Sequence, residues 1–470
     1  MKENIRKIMP KIETTFKIIY LLLAFSTFNT YIYLSPIQRI LVWVCIGAGI
    51  VTILLRLIFY KNYIKMPLWW LLAAFLVSFI ISIIMNSRFG TMGADLKWVI
   101  WSGLMFFMLY VSNTNVKREH YKIEFKLLAN IMVIYSAIAA IISFILMLII
   151  ESNITVTDSG ETLISGFTWG RLWGVYTDPN YGGAFSAICI ILSIYFIINN
   201  KNKLIRASYI IALVFNYIYI IFSDSRTAEL SVIIGIVGFV LIYHSIKKTS
   251  LKKRIMYISI AIVISGVSLL SNSIIKKEYN EYVQKVIVKL EQTDKAKADK
   301  KKEQKVGRSK DLESDASNGR VALWESGIEV WKHTPIFGTG YNSFTAAAKE
   351  YEPDTYVVNN DQGEYTSLHN AYINVLVYQG VIGFAIVLVF MILMVVFILR
   401  RIKNVPKEDA SYIATMMVSV IIVATSMMLL LEGIYTNSPG SIVLWGFSGY
   451  LVQYFFKQEG KHDKRQKRVE

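Results

Sequence analysis

Two arginines and one histidine stand where apolar stretches of this chain give way to polar ones. Arg171 opens Arg171-Leu-Trp-Gly-Val-Tyr-Thr-Asp-Pro-Asn180, Arg226 sits in Ser223-Asp-Ser-Arg-Thr227, and His369 with Asn370 precedes a long apolar run. An arginine at the mouth of an apolar span is costly unless it has a partner. Two of them facing one way suit a diphosphate, because the planar guanidinium fork matches phosphate oxygens. The bland alternative is that each pairs with a local acid, such as Asp178 or Asp224, or snorkels to the interface. An imidazole with an ordinary pKa of about 6.5 suits a general base that takes a proton from a hydroxyl. Arg320 and Trp324 open a further segment, in which Arg320, Trp324, Gly327, Ile328 and Trp331 recur at helical spacing. Thr334-Pro335 then stops that helix, and Gly338 and Gly340 permit a tight turn. Asp178, Pro179 and Asn180 read as a turn leading into a helix, where capping is the ordinary role.

The elements that must position these groups are membrane spans. Of the 470 residues 54% are hydrophobic, and apolar runs recur along the chain. Runs of about 20 residues are long enough to cross a bilayer. About twelve such spans are expected, which makes an all-α integral membrane protein. The ninth ends near Leu270 and the tenth begins near Ala371, with one large loop between them. The parts are then an N-terminal bundle of nine spans (1–270), the loop (271–368), a C-terminal bundle of three spans (369–457) and a basic tail (458–470). Within the loop, Tyr279 to Leu290 reads as an amphipathic helix. The Lys-rich remainder up to Asp315 reads as solvated.

The net charge of +17 falls mostly in alternate short connections, for example at Lys61 and Lys65, at Lys117, Arg118 and Lys122, and at Arg400, Arg401 and Lys403. The positive-inside rule makes that side and both termini cytoplasmic. Charge so placed is a topology signal rather than a nucleic-acid surface. The first apolar run follows a basic start without a small-residue cleavage site, and is expected to be a retained span. Arg171, Arg226, the large loop, His369 and the connection Glu432 to Gly440 then all fall on the outer face. The two cysteines, Cys45 and Cys189, lie in apolar runs. No metal-ligand spacing and no phosphate-cradling loop for ATP is visible.

Four segments, in order, resemble the bacterial O-antigen ligase and O-antigen polymerase family. They are Arg171 to Asn180; Ser223 to Thr227; Gly319-Arg320-Val-Ala-Leu-Trp324 through Pro335-Ile-Phe-Gly-Thr-Gly340; and His369-Asn370 through Gly380-Val-Ile-Gly383. The resemblance implies a GT-C-like architecture and a glycosyltransferase of the bacterial cytoplasmic membrane, acting on undecaprenyl-diphosphate-linked glycans at the outer face without cofactor or metal. It implies that Arg171, Arg226 and Arg320 bind the diphosphate and that His369 and Arg226 serve catalysis. Asp178, Asn180, Trp324 and Asn370 are supporting candidates. Donor and acceptor are then lipid-linked glycans, and a chain-length regulator or flippase is a conceivable partner. A polymerase of surface polysaccharide is the first reading, such as one making capsule, exopolysaccharide or O-antigen. A ligase passing the finished glycan to another acceptor is the second. A flippase is the rival from another class, and it would be expected to show internal repeats and charges near the bilayer midplane.

Overall fold

The computed structural model describes residues 2–157, 160–291, 306, 319–360, 363–429 and 431–456. The basic tail and most of the Lys-rich segment, including Lys300 to Lys305, lie outside the described residues.

The protein is an all-α integral membrane protein. Its principal helices are α1 (Lys2–Thr27), α2 (Pro36–Leu57), α3 (Trp69–Met85), α4 (Met92–Leu104), α5 (Arg118–Leu148), α6 (Pro179–Asn199), α7 (Lys203–Ser223), α8 (Arg226–Ile246), α9 (Leu251–Glu291), α10 (Arg320–His333), α11 (Phe344–Tyr351), α12 (Ala371–Arg401) and α13 (Ala410–Ser426). A last helical segment, α14, occupies 439–456 and contains a π-helical turn at Ile442–Phe447. Polar caps start many of them. Ser35, Asp178, Asn202, Ser225, Asn370 and Ser438 each accept from a backbone N–H of the first turn. Pro36, Pro179 and Pro439 follow three of those caps, at the one position where a missing N–H costs nothing.

Among the described residues nine helices are long and apolar enough to cross a membrane. Three expected spans are not among them. α3 is apolar but has 17 residues. α1 carries Arg6, Lys7, Lys11, Glu13 and Lys17 in its first part, and α14 mixes Gly440, Ser441, Ser448, Gly449 and Gln453 among its apolar residues.

The ninth span does not stop at Leu270. It continues without a break through the expected amphipathic helix to Glu291, 41 residues in all. At 1.5 Å per residue that is about 60 Å, roughly twice the hydrocarbon thickness. The extension buries Tyr279, Val283 and Ile287 and exposes Lys277, Lys285 and Lys289. Tyr279 donates to the Met147 carbonyl at 3.0 Å, which ties the extension to the end of α5.

The polar segment after α5 is not a simple connection. It forms an antiparallel sheet of β1 (Ser152–Val156), β2 (Thr162–Thr168) and β3 (Arg171–Gly174), in that order. Thr168 pairs with Arg171, so Trp169 and Gly170 are the whole β2–β3 turn. Both have positive φ, 52° and 70°, as the tight hairpin turn that matches strand twist requires. That turn makes Arg171 the first residue of β3.

One end of the bundle gathers the sheet, the large loop and the connection 427–438. Thr30 N–H donates to Val175 O at 2.9 Å, Asn86 Nδ2 to Gly338 O at 2.9 Å, and Ala371 N–H to Met427 O at 2.9 Å. The opposite end gathers the Lys- and Arg-rich connections. There Thr114 donates to Asn62 O at 2.9 Å, and Lys122 pairs with Asp409 at 2.6 Å. Two ion pairs are buried in the helices toward that basic end, Lys17 with Glu124 and Arg56 with Glu13.

Gly380 breaks α12, with φ 65° and ψ −169°. The loop 335–340 pairs with the break like a strand. Thr339 N–H donates to Val377 O at 2.9 Å, Gly340 N–H to Tyr378 O at 3.0 Å, and Val381 N–H to Pro335 O at 2.8 Å. A Cβ on Gly380 would stand 2.2 Å from Ile336 O. The third and fourth sequence motifs thus meet through their backbones.

Candidate active site

Arg171 is aimed by the sheet at the start of α6 and the end of α7. Its Nε donates to the Ser223 carbonyl at 2.8 Å and its Nη2 to Asn180 Oδ1 at 2.7 Å. Asp178 caps α6, with Oδ1 accepting from the N–H groups of Asn180 at 2.7 Å and Tyr181 at 3.1 Å. The first and second motifs are therefore joined by the arginine itself. Arg226 begins α8 directly after the cap Ser225 and is exposed. It sits in the turn whose Ser223 carbonyl Arg171 holds. Asp224, in that turn, pairs with Lys276 at 2.6 Å, and Lys276 also lies 3.7 Å from Glu229. Lys276 is a cation that sequence reading did not place at the site, because the helix carrying it was taken to end earlier.

His369 stands two residues before α12, with φ 51°. Several groups hold its backbone in that uncommon conformation. Its N–H donates to Ser367 Oγ at 3.2 Å. The preceding carbonyl, Leu368 O, accepts from Trp324 Nε1 at 3.0 Å, and Leu368 N–H donates to Asn374 Oδ1 at 3.0 Å. Asn370 caps the helix, its Oδ1 accepting from Tyr372 and Ile373 N–H. Trp324 and Asn370 thus position the histidine. Ser367 and Asn374 do the same and carried no motif signal of their own.

Burial pushes the His369 imidazole below its ordinary pKa. The charge of Arg320 adds to that, and the carboxylate of Asp178 opposes it. These two charges reach His369 from α10 and from the start of α6. The structure brings His369, Arg320 and Asp178 into one electrostatic neighbourhood, and Asp178 and Asn180 connect it to Arg171. A neutral imidazole flanked by arginine can accept a proton while cationic groups meet an anion nearby.

Glu432 was named only as the edge of an outer connection. Its Oε1 accepts from the N–H groups of Gly433, Ile434 and Tyr435, between 2.8 and 3.0 Å. Burial still raises its pKa, with those bonds in opposition. His333, the other histidine at this end, is exposed and lies 2.8 Å from Glu352. Among the described residues no cluster of three or more His, Cys, Asp or Glu could hold a metal ion.

Residues 211–388 match the family model described as O-antigen ligase. Over this stretch the chain is similar to the O-antigen ligase family. The match takes in Arg226, Arg320, Trp324, His369 and Asn370, whereas Arg171, Asp178 and Asn180 precede it. Members of the family are membrane glycosyltransferases, ligases and polymerases of polysaccharide, and the apolar helices fit that setting. Comparison with curated proteins returns no match to this chain.

Proposed function

We propose that the chain transfers a glycan from undecaprenyl diphosphate to an acceptor hydroxyl at the outer face of a bacterial cytoplasmic membrane, both termini lying inside. The observation that carries this reading is that Arg171 joins the first two motifs through Ser223 O and Asn180 Oδ1, at the turn that bears Arg226, while the charges of Arg320 and Asp178 both act on His369. The acceptor oxygen attacks the anomeric carbon as the bond to the diphosphate breaks. His369 takes the acceptor proton, and undecaprenyl diphosphate leaves. Negative charge grows on the departing phosphate, so fixed cations there stabilise the transition state more than the bound substrate. Arg171 and Arg226 are assigned to that charge, with Arg320 beside the base.

We assign the chain to polymerisation of a surface polysaccharide, with a second lipid-linked repeat unit as acceptor. The Lys-rich composition of residues 276–310 favours this reading, since a basic loop suits an acidic chain. The description of the matching family favours the second reading, transfer of a finished glycan to a different acceptor.

The test is to delete the protein and size the lipid-linked glycans beside the surface polymer. A single repeat unit trapped on the carrier, with no long polymer, supports polymerisation. Long chains left on the carrier and missing from their acceptor support ligation. Repeat units that stay protected on the cytoplasmic side overturn the transferase reading in favour of a flippase.

A further inference from the structure

A cleft opens at the same end of the bundle as His369. It has a volume of 390 Å³, within the range of about 300–1,000 Å³ that small-molecule sites occupy. The start of α2, the middle of α4, the end of α1 and Thr436 and Asn437 surround it. Its apolar wall is aromatic: Phe28, Tyr33, Trp98 and Trp101. Two polar groups in it stand out. Asn437 is 7% exposed, and both its amide oxygen and its amide nitrogen are buried without a hydrogen-bond partner among the described residues. Lys97 lies over the Trp98 ring at 5.0 Å, and its side chain is exposed.

A buried amide with neither end satisfied is costly unless a ligand or water completes it. Asn offers a donor and an acceptor side by side, which suits neighbouring hydroxyls. Flat aromatic faces suit the C–H faces of a ring that carries those hydroxyls at its edge. That combination is the chemistry of a sugar. Packed rings link one wall of the cleft to the segment that carries the candidate base. Trp98 packs on Tyr341 at 4.9 Å between ring centres, and Tyr341 packs on Tyr378 at 5.0 Å. The Tyr378 hydroxyl donates to Thr366 O at 2.8 Å, in the segment that leads into His369.

We propose that this cleft is a saccharide subsite, holding a sugar ring of the acceptor glycan, with Asn437 as its hydrogen-bonding residue and Trp98 as its stacking face. The assignment to the acceptor rests on the glycosyl-transfer reading above, while the assignment to a saccharide does not.

The experiment uses full-length protein in lipid nanodiscs. The probe is the oligosaccharide freed by mild acid from the lipid-linked glycans of the producing cells, and binding is read by calorimetry. Asn437→Ala weakens binding by about tenfold, the worth of a lost hydrogen-bonding pair. Lys97→Gln is exposed and safe for folding, and it weakens binding of any acidic oligosaccharide. In the transfer assay with donor saturating, Asn437→Ala raises the half-saturating acceptor concentration by a like factor and leaves kcat nearly unchanged. Failure of the probe to bind wild type, or equal binding by wild type and both variants, overturns the proposal. Equal losses in kcat/KM for donor and for acceptor would also overturn it, since they indicate a merely structural role. Binding that depends on Asn437 in a protein that transfers nothing would uphold the saccharide site and remove the glycosyl-transfer reading.

Discussion

The indole N–H of Trp324 donates to the carbonyl of Leu368 at 3.0 Å, so helix α10 holds the peptide that immediately precedes His369. A residue far from His369 in the chain thereby sets where the imidazole stands. Trp324→Phe keeps an aromatic ring and removes the donor. A net hydrogen bond is worth about 0.5–1.5 kcal/mol, so transfer is expected to slow by up to about tenfold. Rates measured on purified variant and wild type at equal folded concentration check this. An unchanged rate would show that the contact does not position the base.

The pH dependence follows from the charges around His369. Burial and Arg320 push its pKa down, and Asp178 opposes them. The imidazole is a base only when neutral, so the acid limb of kcat/KM is expected below the ordinary value of about 6.5. Removing the positive charge with Arg320→Gln moves the limb to higher pH. Removing the negative charge with Asp178→Asn moves it to lower pH, and Asn still caps α6. The two shifts must have opposite signs. A pH profile indifferent to both variants would take His369 out of the proton transfer.

Arg226 offers the cleanest separation of chemistry from folding. Its side chain is exposed at the start of α8, so Arg226→Ala is expected to leave thermal stability within about 0.5 kcal/mol of wild type. Loss of a group that stabilises transition-state charge costs about 10²–10³ in rate. A fully stable variant that retains wild-type transfer would exclude Arg226 from the diphosphate site.

The kink at Gly380 makes the contact between the third and fourth motifs depend on one residue. Its φ of 65° with ψ of −169° belongs to a region populated almost solely by glycine, where other residues pay about 1–3 kcal/mol. A Cβ there would also stand 2.2 Å from Ile336 O. Gly380→Ala is therefore expected to lower the unfolding temperature sharply and to unseat the loop 335–340. Gly47→Ala in α2 serves as the control, since a Cβ there meets nothing within 4 Å. Equal stability of the two variants would contradict the backbone pairing.

How much of this was legible in the sequence depended on whether a residue's role is carried by pattern or by backbone. The long apolar helices announce themselves by composition, and Asp178 and Asn370 announce themselves as caps by type and position. Arg171 was visible as an arginine out of place, but one of its partners is the Ser223 carbonyl, which any residue would supply. The sheet that aims it is three short strands in a polar stretch, too brief for alternation to stand out. The α9 extension was read as a separate helix because Lys276 and Lys277 interrupt the apolar run, although charge need not interrupt a helix. The break at Gly380 was hidden because nothing local to it reveals that a distant loop pairs with its backbone.

The buried pair Lys17–Glu124 tests whether charge inside the bundle is structural. Lys17 Nζ lies 2.5 Å from Glu124 Oε1 and 3.2 Å from the Tyr450 hydroxyl, and Thr14 also bonds the carboxylate. Lys17→Met leaves a buried carboxylate without its cation, a loss of about 3–5 kcal/mol, whereas replacing both partners with apolar residues is often nearly neutral. Thermal unfolding in detergent should therefore show a large drop for Lys17→Met and recovery in Lys17→Met/Glu124→Leu. A transporter that moves protons or ions through this pair behaves otherwise. There the double variant would be stable but inactive, because intramembrane charges in transporters serve the transport step itself. A stable double variant with normal polymer on the cell surface fits a structural pair inside a transferase, and a stable one without polymer would revive the transport reading.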